Sequence, residues 1–180
     1  MPNKYFLGFV LRGPSADWTT HLKKDIARPF GLSWSLTYPP HITLFYPFET
    51  NRIEDVRQLL EEVATRITPF DVDITGYNHF ETDVWFVEPE QRDELFQLKQ
   101  SIAIPLSALL QIKENDKGLT PHFHITLAHK ELTPESFAAI GKQLQATPIP
   151  FDSLLIDSVS ILRKTDTDWV EEARIPFKGV

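Results

Sequence analysis

The tetrapeptide His-Ile-Thr-Leu occurs twice in this chain, at residues 41–44 and again at residues 124–127. Side chains alternate between the two faces of a β-strand, so each copy places Ile and Leu on one face and His and Thr on the other. A proline lies just upstream of each copy, where it ends any preceding helix. The repeat therefore predicts two half-buried strands in equivalent places of two related halves.

The hydrophobic pattern around the two copies predicts alternating strands and helices. Strand-like segments cover residues 4–12, 41–45, 70–77, 84–87, 123–128, 151–163 and 169–177. Helical spacing of apolar residues covers residues 15–27, 52–67, 91–111 and 133–145. We expect Ser15 to cap the first helix, Pro105 to kink or split the third, and residues 113–120 to form a polar loop. The order, roughly β-α-β-α-β twice, predicts one α+β domain over residues 1–180 with two similar lobes.

Charge and composition exclude several classes of function. The net charge of −7 is unsuited to tracking long nucleic acid, which needs a field of Lys and Arg, so we expect the chain to grip one end or one linkage. The absence of cysteine excludes disulfides and thiolate zinc sites, and it fits the cytoplasm. No segment approaches the roughly 20 apolar residues that span a bilayer, so we expect no membrane partner.

Two histidines and two threonines form the candidate catalytic set: His41, Thr43, His124 and Thr126. Lobes that face each other across a cleft would bring these imidazoles and hydroxyls to one point. Opening a phosphodiester or cyclic phosphate needs a base for the attacking water and an acid for the leaving oxygen, and imidazole titrates at about pH 6.5. The hydroxyls suit the non-bridging oxygens, where negative charge builds. This chemistry requires no metal or other cofactor.

Two other functions stay open on the sequence alone. A histidine on a polar strand face is most often a surface or hydrogen-bonding residue, so the same set also suits a non-catalytic module that binds a nucleotide or RNA end. His122 and His124 form a His-x-His pair, and such a pair could hold the metal ion of a metal-dependent hydrolase. No nearby Asp, Glu or Cys completes a ligand set. We predict a site without metal, with His129 on the opposite strand face if the strand extends that far.

Four further residues are candidates for contacts with the substrate. Phe45 and Tyr46 follow the first copy and Trp169 follows a late turn, where each is a candidate to stack on a base. Core packing is the alternative for these aromatic residues, and we favour it. Lys130 follows the second copy and is a candidate positive charge for a phosphate, with solvated surface as the alternative.

With these residues, the chain resembles the 2H phosphoesterase superfamily, which includes the 2′-5′ RNA ligase-like proteins and the cyclic phosphodiesterases. The resemblance rests on the paired His-x-Thr stretches, their spacing, the chain length and the closing run Ser158–Arg163. Two positions depart from the family pattern: Phe123 stands where proline is frequent, and His129 stands where arginine is frequent. A histidine does not make the bidentate contact of an arginine.

The resemblance implies a bilobal α+β fold in which two pseudo-symmetric β-α-β-α-β lobes, with antiparallel sheets, flank a central groove. It implies a metal-independent cyclic phosphodiesterase or 2′-5′ RNA ligase-like enzyme without a cofactor. Its partner would be a nucleotide or RNA 3′-end carrying a 2′,3′-cyclic phosphate or a 2′,5′ linkage, and we expect a monomer. His41 would be the proton donor and His124 the acceptor, in roles that exchange with reaction direction, while Thr43 and Thr126 would hold the phosphate.

Overall fold

The computed structural model describes residues 2–112 and 122–179, and these form an α+β fold, as predicted. The four α-helices of this part of the chain are α1 (Gly13–Ala27), α2 (Ile53–Ala64), α3 (Asp93–Leu110) and α4 (Pro134–Gln145), and two short 3-10 helices (Arg28–Phe30 and Trp34–Thr37) follow α1. Its eight strands are β1 (Asn3–Val10), β2 (His41–Thr50), β3 (Phe70–Phe80), β4 (Val84–Pro89), β5 (Ile125–His129), β6 (Ser153–Ile156), β7 (Ser158–Lys164) and β8 (Trp169–Pro176). The loop predicted at 113–120 lies outside the described residues.

The described strands join in one antiparallel order, β6-β3-β4-β5-β2-β1-β7-β8. β6 lies at one edge and β7 lies next to the other edge, yet Asp157 alone separates them in the chain. Three consecutive Cα atoms span at most about 7.6 Å, so the sheet must curl until its two ends approach each other. The single strand predicted at 151–163 is therefore wrong, because the chain changes ends of the sheet within that segment.

The strand order divides at its centre into two pseudo-symmetric lobes. The first lobe contains β2, β1, β7 and β8, and the second contains β5, β4, β3 and β6 in corresponding places. The unit β1-α1-β2 corresponds to β4-α3-β5, and α1 contacts β5 of the other lobe while α3 contacts β2. The two predicted lobes are present, but their strands do not follow the order of the chain. β3 pairs with β4 in the second lobe, and the later β7–β8 hairpin returns to pair with β1 in the first lobe.

The apolar half of each His-Ile-Thr-Leu copy anchors its strand in the core. Ile42, Leu44, Ile125 and Leu127 are fully buried, with 0% exposure each, whereas the histidines and threonines between them are half-buried. This confirms the predicted assignment of faces. Burial of each such side chain contributes about 1.5–3 kcal/mol, so the position of both strands is strongly determined by the core.

Helix boundaries follow local capping chemistry. α4 begins as predicted, because the Thr133 hydroxyl accepts the Ser136 N–H at 3.1 Å and the Ser136 hydroxyl accepts the Thr133 N–H at 2.9 Å. α1 begins earlier than predicted, at Gly13, and the Ser15 hydroxyl donates to the Arg12 carbonyl at 3.0 Å, so the predicted cap is wrong. A proline in the first turn is compatible with this earlier start.

The third helix continues through its proline. α3 runs without a break from Asp93 to Leu110, so the predicted split at Pro105 is wrong. Pro105 and Ser101, whose carbonyl loses its helical partner, lie on the half-exposed side of the helix, where water can satisfy that carbonyl. None of the helices in the described ranges has both the length and the apolarity needed to cross a membrane.

Candidate active site

The two motif strands meet at the centre of the sheet, where the four candidate side chains come together. β2 and β5 are antiparallel and pair through the isoleucine of each motif. In this register His41 lies opposite Thr126, and Thr43 lies opposite His124. The two histidines are diagonal neighbours, which are about 7–8 Å apart on adjacent strands. This separation suits two imidazoles on either side of one phosphate.

A cavity of about 220 Å³ opens where β2 and β5 pair. The described residues that line it are Phe6, Lys23, Trp34, Ser35, Tyr38, His41, Thr43, Tyr46, Pro47, His124, Thr126, His129 and Lys130. Two lysines and three histidines belong to this part of the wall, and no Asp or Glu does, in a chain whose net charge is −7. The charge distribution therefore suits an anionic ligand.

His41 is held by contacts on two sides. Its Nδ1 donates to the Pro39 carbonyl at 2.7 Å, and since a carbonyl only accepts, Nε2 carries the lone pair of the neutral ring. The Phe6 ring packs against the imidazole with centroids 4.8 Å apart. Gly8 on β1 provides the space, because a Cβ there would lie 3.5 Å from Cδ2 of His41 and 2.8 Å from the Ile42 carbonyl.

His124 repeats this arrangement in the second lobe. Its Nδ1 donates to the His122 carbonyl at 2.7 Å, and the rings of Phe80 and Phe86 lie 5.1 and 5.2 Å from its own. Each motif histidine thus uses Nδ1 to bond the carbonyl two residues upstream, which leaves the lone pair of the neutral ring on Nε2. β5 itself begins only at Ile125, so the strand predicted from residue 123 starts two residues too early.

Burial determines the protonation of both imidazoles. It lowers the pKa of His41 to about 4, and the positive charge of Lys23 and the proximity of His124 contribute to the lowering. Burial is also the main reason that the pKa of His124 lies below its ordinary value, with contributions from His122 and His129. Both rings are therefore neutral at neutral pH before an anion arrives. A phosphate bound beside them would favour the protonated form.

His129 lines the same cavity, which corrects the prediction that it lies on the opposite face. Successive residues of β4 pair with Ala128 and Thr126, so Leu127 is an extra residue, a β-bulge. An extra residue inverts the alternation of side chains that follows it. The position where the family often has arginine therefore still faces the cavity, with an imidazole whose pKa is lowered mainly by burial.

A rim of hydrogen bonds joins the two lobes beside the cavity. The Glu131 carboxylate accepts the backbone N–H groups of Ser33 and Trp34, both at 2.7 Å, and the Ser33 hydroxyl at 2.9 Å. These backbone bonds lower the pKa of the Glu131 carboxyl. Lys130 Nζ lies 3.9 Å from the centroid of the Trp34 ring, so this lysine lines the cavity with its charge partly engaged by an aromatic face.

The three aromatic candidates occupy different environments. Tyr46 lines the cavity and is 48% exposed, so it is available for stacking. Phe45 is 8% exposed and packs edge-on against Phe48 at 5.7 Å, and Trp169 is 6% exposed and stacks on Tyr38 at 5.8 Å. Phe45 and Trp169 therefore follow the core-packing alternative that the sequence favoured.

The His-x-His pair does not assemble a metal centre in the described ranges. His122 Nε2 lies 2.6 Å from Glu88 Oε1, and His124 is bonded to a backbone carbonyl. Among the residues that the structure describes, no group of three or more His, Asp, Glu or Cys side chains is arranged to hold a metal ion. Within the described residues, the His-x-His pair therefore has no third ligand for a metal ion.

Sequence reasoning missed six residues of the described cavity wall: Phe6, Lys23, Trp34, Ser35, Tyr38 and Pro47. For Lys23 a sequence signal was present, because it directly follows Leu22 and lies three residues before Ile26 on the apolar side of the predicted helix, and the structure buries it to 3% exposure. Trp34 and Tyr38 come from the connection between α1 and β2, which local patterning does not place. Their ring centroids lie 5.8 Å apart.

Two named relatives match about two thirds of this chain in sequence. A Geobacillus thermodenitrificans (strain NG80-2) protein named "Putative phosphoesterase" is 26% identical over 121 residues, which are 65% of this chain and 66% of that protein, just under two thirds of its length. A Bacillus licheniformis (strain ATCC 14580) protein with the same designation is 29% identical over 125 residues, or 66% of this chain and 70% of that protein.

Solved structures share the fold over nearly the whole chain. The protein TT0787 of Thermus thermophilus has a TM-score of 0.64 at 18% identity and covers 98% of each chain. E. coli LigT complexed with NADP+ has a TM-score of 0.63 at 15% identity and covers 99% of each chain. The sequence model of the 2′-5′ RNA ligase superfamily matches residues 14–168, which include both histidine motifs. On this match the chain belongs to the 2′-5′ RNA ligase superfamily.

Proposed function

We propose that this chain opens 2′,3′-cyclic phosphates or 2′,5′-phosphodiester linkages of nucleotides or RNA ends by paired-histidine acid–base catalysis without a metal ion. The observation that carries the proposal is the pairing of β2 with β5, which brings both motif histidines and both motif threonines to one cavity free of carboxylates in its described wall. Solved structures of the related E. coli LigT contain NADP+ or 3′-AMP, which supports a nucleotide as the ligand here.

In the proposed hydrolysis, one imidazole accepts a proton and the other donates one. Nε2 of the acceptor removes a proton from water, and the water oxygen forms a bond to phosphorus. The bond from phosphorus to one ribose oxygen breaks, and the protonated donor gives its proton to that oxygen, which leaves a ribose phosphomonoester. Each well-placed proton transfer contributes about 10²–10⁴-fold to the rate.

The role of each histidine follows the resemblance, with His41 as donor and His124 as acceptor. The reverse reaction exchanges the two roles. Because burial keeps both pKa values low in the free protein, the donor gains its proton as the anionic phosphate binds and favours the charged ring. The threonine hydroxyls, Thr43 and Thr126, donate to the non-bridging oxygens as their charge grows.

Turnover by matched variants tests the proposal. Purified protein is incubated in EDTA with adenosine 2′,3′-cyclic phosphate and with a 2′,5′-linked diadenylate, and products are separated by chromatography. We expect His41→Gln and His124→Gln to lose at least about 10²-fold in kcat/KM, the contribution of a positioned proton transfer. His21→Gln is the control, because His21 is an exposed histidine on α1.

The same assay separates the alternative functions. Equal turnover by the wild type and both motif variants contradicts the proposal. Saturable nucleotide binding without any product indicates the non-catalytic binding module. Activity that EDTA abolishes and one divalent ion restores indicates a metal-dependent hydrolase.

A further inference from the structure

A second sequence repeat accompanies the histidine motif. The pattern Leu-Lys-x-x-Ile-Ala occurs at residues 22–27 in α1 and at residues 98–103 in α3, and a proline follows each copy after one intervening residue. The two helices occupy corresponding places in the two lobes, since each precedes a motif strand. The Leu, Lys, Ile and Ala of both copies are buried. A buried lysine, rare in proteins, therefore recurs once in each lobe.

Lys23, the lysine of the first copy, is connected to His41 through the backbone. It is 3% exposed and lies in the cavity wall. Its Nζ donates to the Tyr38 carbonyl at 2.8 Å, and the next carbonyl, that of Pro39, accepts the His41 Nδ1–H at 2.7 Å. One ammonium group thus anchors the turn that orients the imidazole.

Lys99, the lysine of the second copy, lies beside the other histidine. It is 5% exposed and lines a small cavity of about 80 Å³ together with His124, Thr43 and Tyr46. These three residues also line the main cavity, so the two cavities are neighbours. Lys99 and His124 thus share a cavity wall, as Lys23 and His41 do.

We propose that Lys23 and Lys99 are duplicated positioning residues, each holding a buried ammonium group behind the motif histidine of its own lobe. The inference rests on the proposed function and deepens it. A phosphorane-like transition state carries more negative charge than the diester, so two fixed positive charges stabilise the transition state more than the bound substrate. The expected effect of the lysines is therefore on kcat more than on KM.

The charge of Lys23 also bears on the titration of His41. Burial lowers the pKa of Lys23 to about 8, so most molecules carry the charge at neutral pH. That charge is one of the causes that hold the pKa of His41 at about 4, after burial itself. The titratable and charged groups that line the cavity with His41 are Lys23 from α1, Tyr38 from the following connection, Tyr46 from β2, and His124, His129 and Lys130 from the region of β5.

The test compares Lys23→Met and Lys99→Met with Lys24→Met, an exposed neighbour on α1. Methionine keeps the length of the side chain and packs in apolar surroundings. We expect each buried variant to lower kcat about 10-fold, less than the about 10²–10³-fold seen when a direct donor is removed, with KM changed less than about threefold. Lys23→Arg keeps the charge and should recover part of the lost kcat.

Nitrogen-15 NMR of the histidine rings supplies a readout that needs no turnover. Loss of the positive charge should raise the pKa of His41 in Lys23→Met, and the Lys24→Met control should leave it unchanged. In the wild type, the His41 ring shifts should also show a second inflection near pH 8, where Lys23 loses its proton.

The outcomes separate this inference from the proposed function. A kcat within twofold of wild type in both Met variants overturns the proposed role of the two lysines. The absence of the second inflection in the wild type also overturns it, and this measurement does not depend on whether a variant folds. An inactive wild-type protein that keeps the inflection contradicts the phosphoesterase proposal and leaves the charge interaction between Lys23 and His41 supported.

Discussion

The half-buried imidazole of His41 predicts a protein that loses stability on mild acidification. Burial lowers its pKa to about 4 in the folded chain, whereas an imidazole in the unfolded chain titrates at about 6.5. Between these values the unfolded chain binds a proton that the folded chain does not, so acidification favours unfolding. The contribution of the neutral His41 ring to the free energy of unfolding is fully present above about pH 6.5 and is lost as the pH falls toward about 4.

The magnitude follows from the two pKa values of this one group. Single-site proton linkage amounts to about 2 kcal/mol at pH 5 and less than about 0.1 kcal/mol at pH 7.5. Burial also lowers the pKa of His124 and His129, and these rings add to the same trend. The His41→Gln variant isolates the share of His41. Between pH 7.5 and pH 5, its free energy of unfolding should fall by about 2 kcal/mol less than that of the wild type.

The assay is urea unfolding at pH 7.5 and pH 5, followed by the fluorescence of the four tryptophans. Buffers without phosphate and of equal ionic strength keep the anion site empty. Equal m-values for all proteins allow the midpoints to be compared as free energies. His21→Gln, which removes an exposed imidazole, is the control. An equal loss of stability in the wild type and in His41→Gln would refute the reasoning.

Three further predictions concern residues around the paired strands β2 and β5. Gly8→Ala places a Cβ 2.8 Å from a backbone carbonyl, so we expect a loss of about 1–3 kcal/mol in urea unfolding, and wild-type stability would contradict the close packing. Thr43→Val and Thr126→Val remove a hydroxyl at similar volume and should each lower kcat by about 10- to 10²-fold with an unchanged circular dichroism spectrum, whereas undiminished turnover removes the threonines from the reaction. Glu131→Gln removes the charge that accepts two backbone N–H groups of the rim, so steady-state kinetics should show a higher KM, and an unchanged KM means that the rim does not shape the cavity.

The local patterns of this chain were sufficient for much of the fold. The alternation of Ile42 with His41 and Thr43 predicted which side chains are buried, because alternation is a property of any strand. The amphipathic spacing predicted α2, which ends at Ala64 rather than at residue 67. Helix ends were less accurate where the local chemistry was ambiguous, as at Gly13.

The errors occurred where distant segments determine the outcome. Residues 151–163 have the composition of one strand, but periodicity records burial and not the pairing partner, and the chain divides there between β6 and β7. His129 faces the cavity because β4 forces a bulge at Leu127.

The sequence by itself determined two strands with a polar face of histidine and threonine, because the two faces of a strand follow from residue order alone. Only the tertiary structure decided that the two strands pair, that the imidazoles lie on a diagonal, and that Lys23 is buried near one of them. These features depend on pairing between segments more than 80 residues apart, as Ile42 and Ile125 are. Long-range packing, which no local pattern encodes, therefore converts two ordinary histidines into one candidate site.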